Sequence, residues 1–208
     1  MTESIQLTLI LGAALIASLS PGPATLAIAS TSMTSGRTFG LALASGVMSG
    51  SMLWSVSAAF GLGAIMLTNA WALEILRYIG AGYLVYLAAV AARNAMTDHE
   101  PQTNAPPSSS HRRAYGKGLA IHLTNPKAAL FFGSLYSIAI PPSATPQDLA
   151  LVIAAIGLQS FLVFHGYALL FSIPPVVRAY LRLRRWFQAF FALAFASAGI
   201  KVLLTRMA

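Results

Sequence analysis

Between Glu3 and Arg37 the chain carries no charged residue, and inside that apolar run stands Ser20-Pro21-Gly22-Pro23. Two prolines in three residues cannot continue a helix, because each lacks an N–H and its ring crowds the preceding turn. Yet Ile5 to Ala17 before the break and Ala24 to Ala29 after it are the material of a membrane span. Within a bilayer, broken backbone persists only where protein or a watery cavity satisfies its polar groups. The stretch therefore predicts a discontinuous transmembrane helix whose break forms part of a transport site.

Composition agrees with a membrane setting. Hydrophobic residues make up 57% of the 208 and charged residues 9%, against roughly 25% charged in soluble domains. So little charge cannot cover a globule, and the chain reads as an integral membrane protein. The formal net charge of +8 does not imply nucleic acid. Its basic residues sit in short connections between apolar runs, as the positive-inside bias requires, with no basic-aromatic patch. There is no cysteine, so neither a thiolate nucleophile nor a cysteine metal site is available, and no cofactor or metal is expected. With Glu3 and no basic n-region, a cleaved signal peptide is not expected.

Apolar stretches near the 20 residues needed to span occur at Ile5–Met33, Phe39–Leu67, Trp71–Ala92, Gly116–Ile140, Leu149–Ile173 and Trp186–Leu204. The second contains Gly46 and Gly50, four apart, which predicts a close helix-packing face. Glu74 and Arg77, three apart in the third, are placed to pair at the interface. The polar segment from Asn94 to Tyr115 reads as a cytoplasmic linker between repeats at 1–93 and 116–208, within a single transmembrane domain. A basic connection with Arg178, Arg182, Arg184 and Arg185 separates the last two spans. Connections 1–2, 3–4 and 5–6 hold nine basic residues and the other two hold none, which predicts both termini outside.

The second half repeats the proline break as Thr124-Asn125-Pro126-Lys127. Pro126 follows Pro21 by 105 residues, half the chain length. Three spans per half is an odd number, so the second half must insert upside down. The expected fold is all-α: a polytopic membrane protein with six transmembrane helices as two inverted three-helix repeats, helices 1 and 4 interrupted. Matched interruptions in inverted halves point to a transporter's binding site, although proline kinks also occur without a ligand. The candidate substrate-binding residues are Pro21, Gly22, Pro23, Ala24 and Thr25 at the first break and Asn125, Pro126 and Lys127 at the second.

A half-helix after a break offers N–H groups and a positive dipole end. Ala24, Thr25 and the Lys127 region could so hold a carboxylate, while carbonyls near Ala17–Ser20 and Leu123–Asn125 could accept from an ammonium. Lys127 either meets that carboxylate or snorkels to the interface. His122 and His165 are candidates for proton coupling, or else helix–helix hydrogen bonders. No Asp or Glu lies deep in any span, which disfavours a carboxylate proton relay.

With SPGP at 20–23, GR..G at 36–40, GAGYLVYL at 80–87, LTNPKAALFF at 123–132 and GYA at 166–168, the chain resembles the LysE/RhtB family of bacterial amino-acid exporters. The resemblance covers nearly the whole chain. It implies a secondary transporter exporting amino acids from the cytoplasm across the inner membrane. The NPK form is similar to the branch for neutral amino acids such as homoserine, threonine or leucine. The alternative is another small zwitterionic or cationic solute. His122 and Tyr136-Ser137-Ile138 depart from the family pattern and mark an altered pocket as an option. The partners expected are the amino-acid substrate and the lipid bilayer; a homodimer stays an open option, and no nucleic acid is expected. An intramembrane enzyme and an assembly subunit are the rivals, but no nucleophile elbow, HExxH or paired acids are present.

Overall fold

The structure, a computed structural model, describes residues 7–68, 70–96, 110–141 and 143–204. Its elements are all helices: α1 Leu7–Leu19, α2 Pro23–Ser35, α3 Arg37–Thr68, α4 Ala70–Met96, α5 His111–Leu123, α6 Pro126–Ala139, α7 Pro146–Leu170 and α8 Pro174–Leu204. Proline opens α2, α6, α7 and α8. Its missing N–H costs nothing in a first turn, where that donor has no intrahelical partner anyway. The same residue that forbids a continuous helix thus sets where the next one starts. The α2–α3 corner turns at Gly36, whose φ of 92° lies where side chains with a Cβ are strained.

Both proline breaks are real interruptions. The first bends α1 against α2 by 52°. The second separates α5 from α6 at Thr124 and Asn125. Among the described residues, α3 over Arg37–Gly61 and α7 are long and apolar enough to cross a bilayer, and α1–α2 qualifies as a bent pair. The chain is therefore an all-α polytopic membrane protein. The expected fourth span falls to two pieces. α6 has 14 residues, roughly 21 Å of helix against a hydrocarbon core of about 30 Å.

Two boundaries differ from the sequence expectation. The linker narrows, because α4 continues to Met96 and α5 starts at His111, capped by Ser110 Oγ accepting from the Arg113 N–H at 3.2 Å. Arg178, Arg182, Arg184 and Arg185 are not in a connection but in the first half of α8, which begins at Pro174. Arginine is a good helix former, so polarity here ends the span without ending the helix. The side chains of Glu74 and Arg77, expected to pair, lie outside the described residues.

Two apolar clusters hold the helices together. The larger joins α1, α3, α4, α6, α7 and α8 around Ile10, Ala59, Leu87, Phe132, Leu135, Ile156 and Phe191. The other joins α2, α3, α5 and α7 around Ile28, Leu43, Val47, Ala114 and Phe164. α3 and α5 meet through reciprocal glycines. A Cβ on Gly46 would lie 2.0 Å from the Tyr115 carbonyl oxygen, and one on Gly118 2.1 Å from that of Leu43. The small-residue face at Gly46 and Gly50 is thus a packing face, and its partner is the half-helix leading into the second break.

Candidate functional site

The two breaks come together although they lie half a chain apart. From the second, the Lys127 ammonium donates to the Ser20 carbonyl oxygen at 3.1 Å and also to the Ser20 hydroxyl. The lysine stem passes Gly22 closely: a Cβ added there would stand 3.5 Å from Cδ and 3.4 Å from Nζ. Phe195 of α8 presents its ring 5.8 Å from the ammonium, within cation–π range. Lys127 therefore points inward to the first break.

Around this contact lies a cavity of about 50 Å³, lined in part by Ser20, Gly22, Ala24, Thr25, Asn125 and Lys127. At about 10–15 Å³ per water position it has room for roughly four waters, the scale of a small amino acid. Its apolar wall includes Phe131, Phe132, Ile156 and Phe164. A second cavity of about 30 Å³ shares Ser20 and Lys127 and adds Pro21, Asn94 and Gln188. The Lys127–Ser20 bond stands at the boundary of the two.

The helix ends at the breaks are finished differently. At the start of α2, the Gly22 N–H donates to Thr25 Oγ1 at 2.9 Å. That leaves the Ala24 and Thr25 N–H groups, donors that a first turn cannot satisfy internally, beside the cavity both residues line. At α6, Asn125 Oδ1 accepts from the Lys127 N–H at 3.0 Å, and the Asn125 carbonyl accepts from Ala128 and Ala129 at 3.0 and 3.2 Å. This N-terminus is closed on itself, so the backbone of the Lys127 region is not available for a carboxylate. Only its side chain is.

Several carbonyls expected to receive an ammonium already have protein donors. Tyr167, in the GYA stretch of α7, donates its hydroxyl to the Leu19 carbonyl at 2.6 Å. Ser20 Oγ donates to Ala17 O at 2.9 Å, and the Ser20 carbonyl is held by Lys127. The His122 carbonyl accepts from Asn125 N at 3.2 Å and Trp54 Nε1 at 3.3 Å.

Of the other sequence candidates, Pro23 is exposed, and the Pro126 side chain lies outside the described residues. His122 is buried and lines the larger cavity. His165 is not among the residues that line it. It ties α7 to α3 instead, with Nε2 3.0 Å from Ser45 Oγ and Nδ1 2.9 Å from the Phe161 carbonyl. Tyr136 is buried and is not among the residues lining either cavity; its hydroxyl lies 2.6 Å from Ser55 Oγ. Sequence reading missed Ser20 as a lysine partner and the buried Ser51–Ser160 pair, 3.1 Å apart in the cavity wall. No spacing marks serines 109 residues apart. Among the described residues no group of three His, Cys, Asp or Glu could hold a metal ion.

Comparison with known proteins places this geometry in context. Residues 15–206 match the family model described as LysE type translocator. The threonine efflux protein of Escherichia coli (strain K12) is 30% identical over 195 residues, covering 92% of this chain and 94% of the relative. That of Salmonella typhi is 29% identical over 194 residues, with the same coverage. The leucine efflux protein of Klebsiella pneumoniae is 31% identical over 170 residues, 77% of this chain and 78% of the relative. No solved structure matches.

Proposed function

The chain belongs to the LysE type translocators, transporters and not enzymes, and from that premise we propose that it exports small neutral amino acids from the cytoplasm across the bacterial inner membrane. The observation that carries the reading is the Lys127 ammonium, brought from the second break to Ser20 at the first, inside a cavity of amino-acid size. A substrate carboxylate competes with Ser20 for that ammonium and gains the Ala24 and Thr25 N–H groups at the positive end of α2. The substrate ammonium turns to hydroxyls of the wall, Ser51 and Ser160, because carbonyls at both breaks already carry protein donors.

Charge selects the substrate class. Of the two acids outside the N-terminal tail and the linker, Glu74 and Asp148, Asp148 caps α7 by accepting from the Thr145 N–H at 2.9 Å and is not among the residues lining the cavity. A lysine or arginine substrate would bring a second positive charge beside Lys127, with no acidic residue among those that line the cavity, and an unpaired charge in low dielectric is strongly disfavoured. The relatives named threonine and leucine efflux proteins agree with a neutral substrate.

For the architecture, the reading takes α1–α2, α3 and α4 as one repeat and α5–α6, α7 and α8 as its inverted copy, six spans with both termini outside. The pairing of corresponding helices supports it: α3 packs on α7, and α4 on α8. Reporter fusions at Ser109 and after Ala208 should then fall on opposite sides of the membrane, and two cytoplasmic signals would contradict it. The function is tested by amino-acid levels outside cells with and without the protein. Small neutral amino acids should rise and lysine should not; no change in any neutral amino acid, or efficient lysine export, would overturn the reading.

A further inference from the structure

We infer that His122 reads the side chain of the transported amino acid and selects one that carries a hydroxyl, an inference that rests on the exporter reading above. His122 is 6% exposed, and neither Nδ1 nor Nε2 has a hydrogen-bond partner on the protein. Buried side-chain polar atoms nearly always have one. Two orphans on a single ring that also forms part of the cavity wall call for a partner that is not protein.

The ring is held by shape and not by polar contacts. Its backbone carbonyl is pinned by Trp54 and Asn125. Phe164 meets it edge-on at 5.8 Å. On the α3 side it lies against Gly50, where a Cβ would come within 2.9 Å of the His122 Cβ and 3.3 Å of Cδ2. Both nitrogens are shielded in this arrangement of the ring, and the broad χ2 well of histidine lets a ring turn bring one of them to the cavity that the residue lines.

A neutral imidazole offers one donor and one acceptor. A hydroxyl answers whichever nitrogen faces it, accepting from the N–H or donating to the bare nitrogen. An ammonium answers only the bare nitrogen, and it has the Ser51–Ser160 hydroxyls to bind. The carboxylate is placed at Lys127. What remains for His122 is the side chain.

Threonine and valine have nearly the same shape and differ by hydroxyl against methyl. A site built to hydrogen-bond a hydroxyl rejects the analogue lacking it, whereas an apolar pocket barely distinguishes the two. With purified protein in liposomes, threonine should be carried over valine by at least about tenfold. His122→Leu should bring that ratio to within about twofold, and His122→Gln, which keeps a donor and an acceptor, should preserve a preference. An unchanged ratio in His122→Leu would overturn the inference and leave an ordered water as the ring's partner. A wild type that carries valine as well as threonine would overturn it too, while leaving the exporter reading intact. If neither these nor any other neutral amino acid moves, it is the exporter reading that fails, and this one falls with it. Melting of the unaltered protein gives a check that needs no variant: threonine should raise the midpoint and valine should not, and equal shifts would overturn the selection by His122.

Discussion

The two proline breaks look interchangeable as sequence, yet they are finished in opposite ways. At the first, a glycine stands before α2 and the Thr25 hydroxyl takes the Gly22 N–H, so backbone donors of the next turn remain at the cavity. At the second, Asn125 closes the α6 N-terminus through its side chain and its carbonyl, and the break contributes a side-chain ammonium instead. One break supplies backbone, the other supplies charge. Two breaks alike in sequence can thus differ in chemistry, because capping depends on single residues.

The largest effect that would break this comparison is loss of the charge. Lys127→Met keeps an unbranched apolar chain, should insert normally, and should lower export by at least about a hundredfold, on the order of 2.8 kcal/mol at the tenfold-per-1.4 scale. Normal export by that variant would remove the carboxylate role. Next comes the approach of α5 to α3 that carries the second break into place. Gly46→Ala sets a Cβ against the Tyr115 carbonyl at 2.0 Å, and overpacking of this kind costs about 1–3 kcal/mol. A clear fall in melting temperature should accompany it, and an unchanged midpoint would mean the helices are further apart.

Capping variants sharpen the contrast at smaller magnitude. Asn125→Ala should cost about 1 kcal/mol of stability, read as a lower melting midpoint, and weaken export through the placement of Lys127. Thr25→Val should cost a similar amount by leaving the Gly22 N–H without its acceptor, but it acts at the end proposed to touch the carboxylate. It should therefore raise the apparent KM more than Asn125→Ala does. Equal KM values in the two would make the breaks equivalent after all. Smallest is Tyr167→Phe, which deletes the hydroxyl bond to the Leu19 carbonyl. About 1 kcal/mol or less is expected, by melting.

Much of this was legible in the residues, for identifiable reasons. Proline cannot hide inside a helix, so both interruptions and the starts of α2, α6, α7 and α8 are written in the chain. Their half-chain offset singles out Thr25, Asn125 and Lys127 as candidates, and the structure sets all three on one cavity wall. Less readable was anything set by which side chain meets which. Asn125 as a self-cap and Ser20 as the lysine's partner depend on angles no motif encodes. His165 and His122 have similar sequence settings, but only His122 lies on the cavity side of its helix. The start of α8 is not readable from hydropathy, because four arginines look like a loop on that scale while their backbone preference is helical.

The convergence of the breaks can be measured directly, because the chain has no cysteine to give a background. Gly22 has an extended backbone, with φ −166° and ψ −179°, and room for a Cβ beside the Lys127 stem. Paired cysteines at Gly22→Cys and Lys127→Cys should therefore be joined within one chain by a short thiol-to-thiol reagent, and neither single variant should give that product. A pair in which each thiol is labelled on its own but no bridge forms would contradict the account that the two breaks share one site.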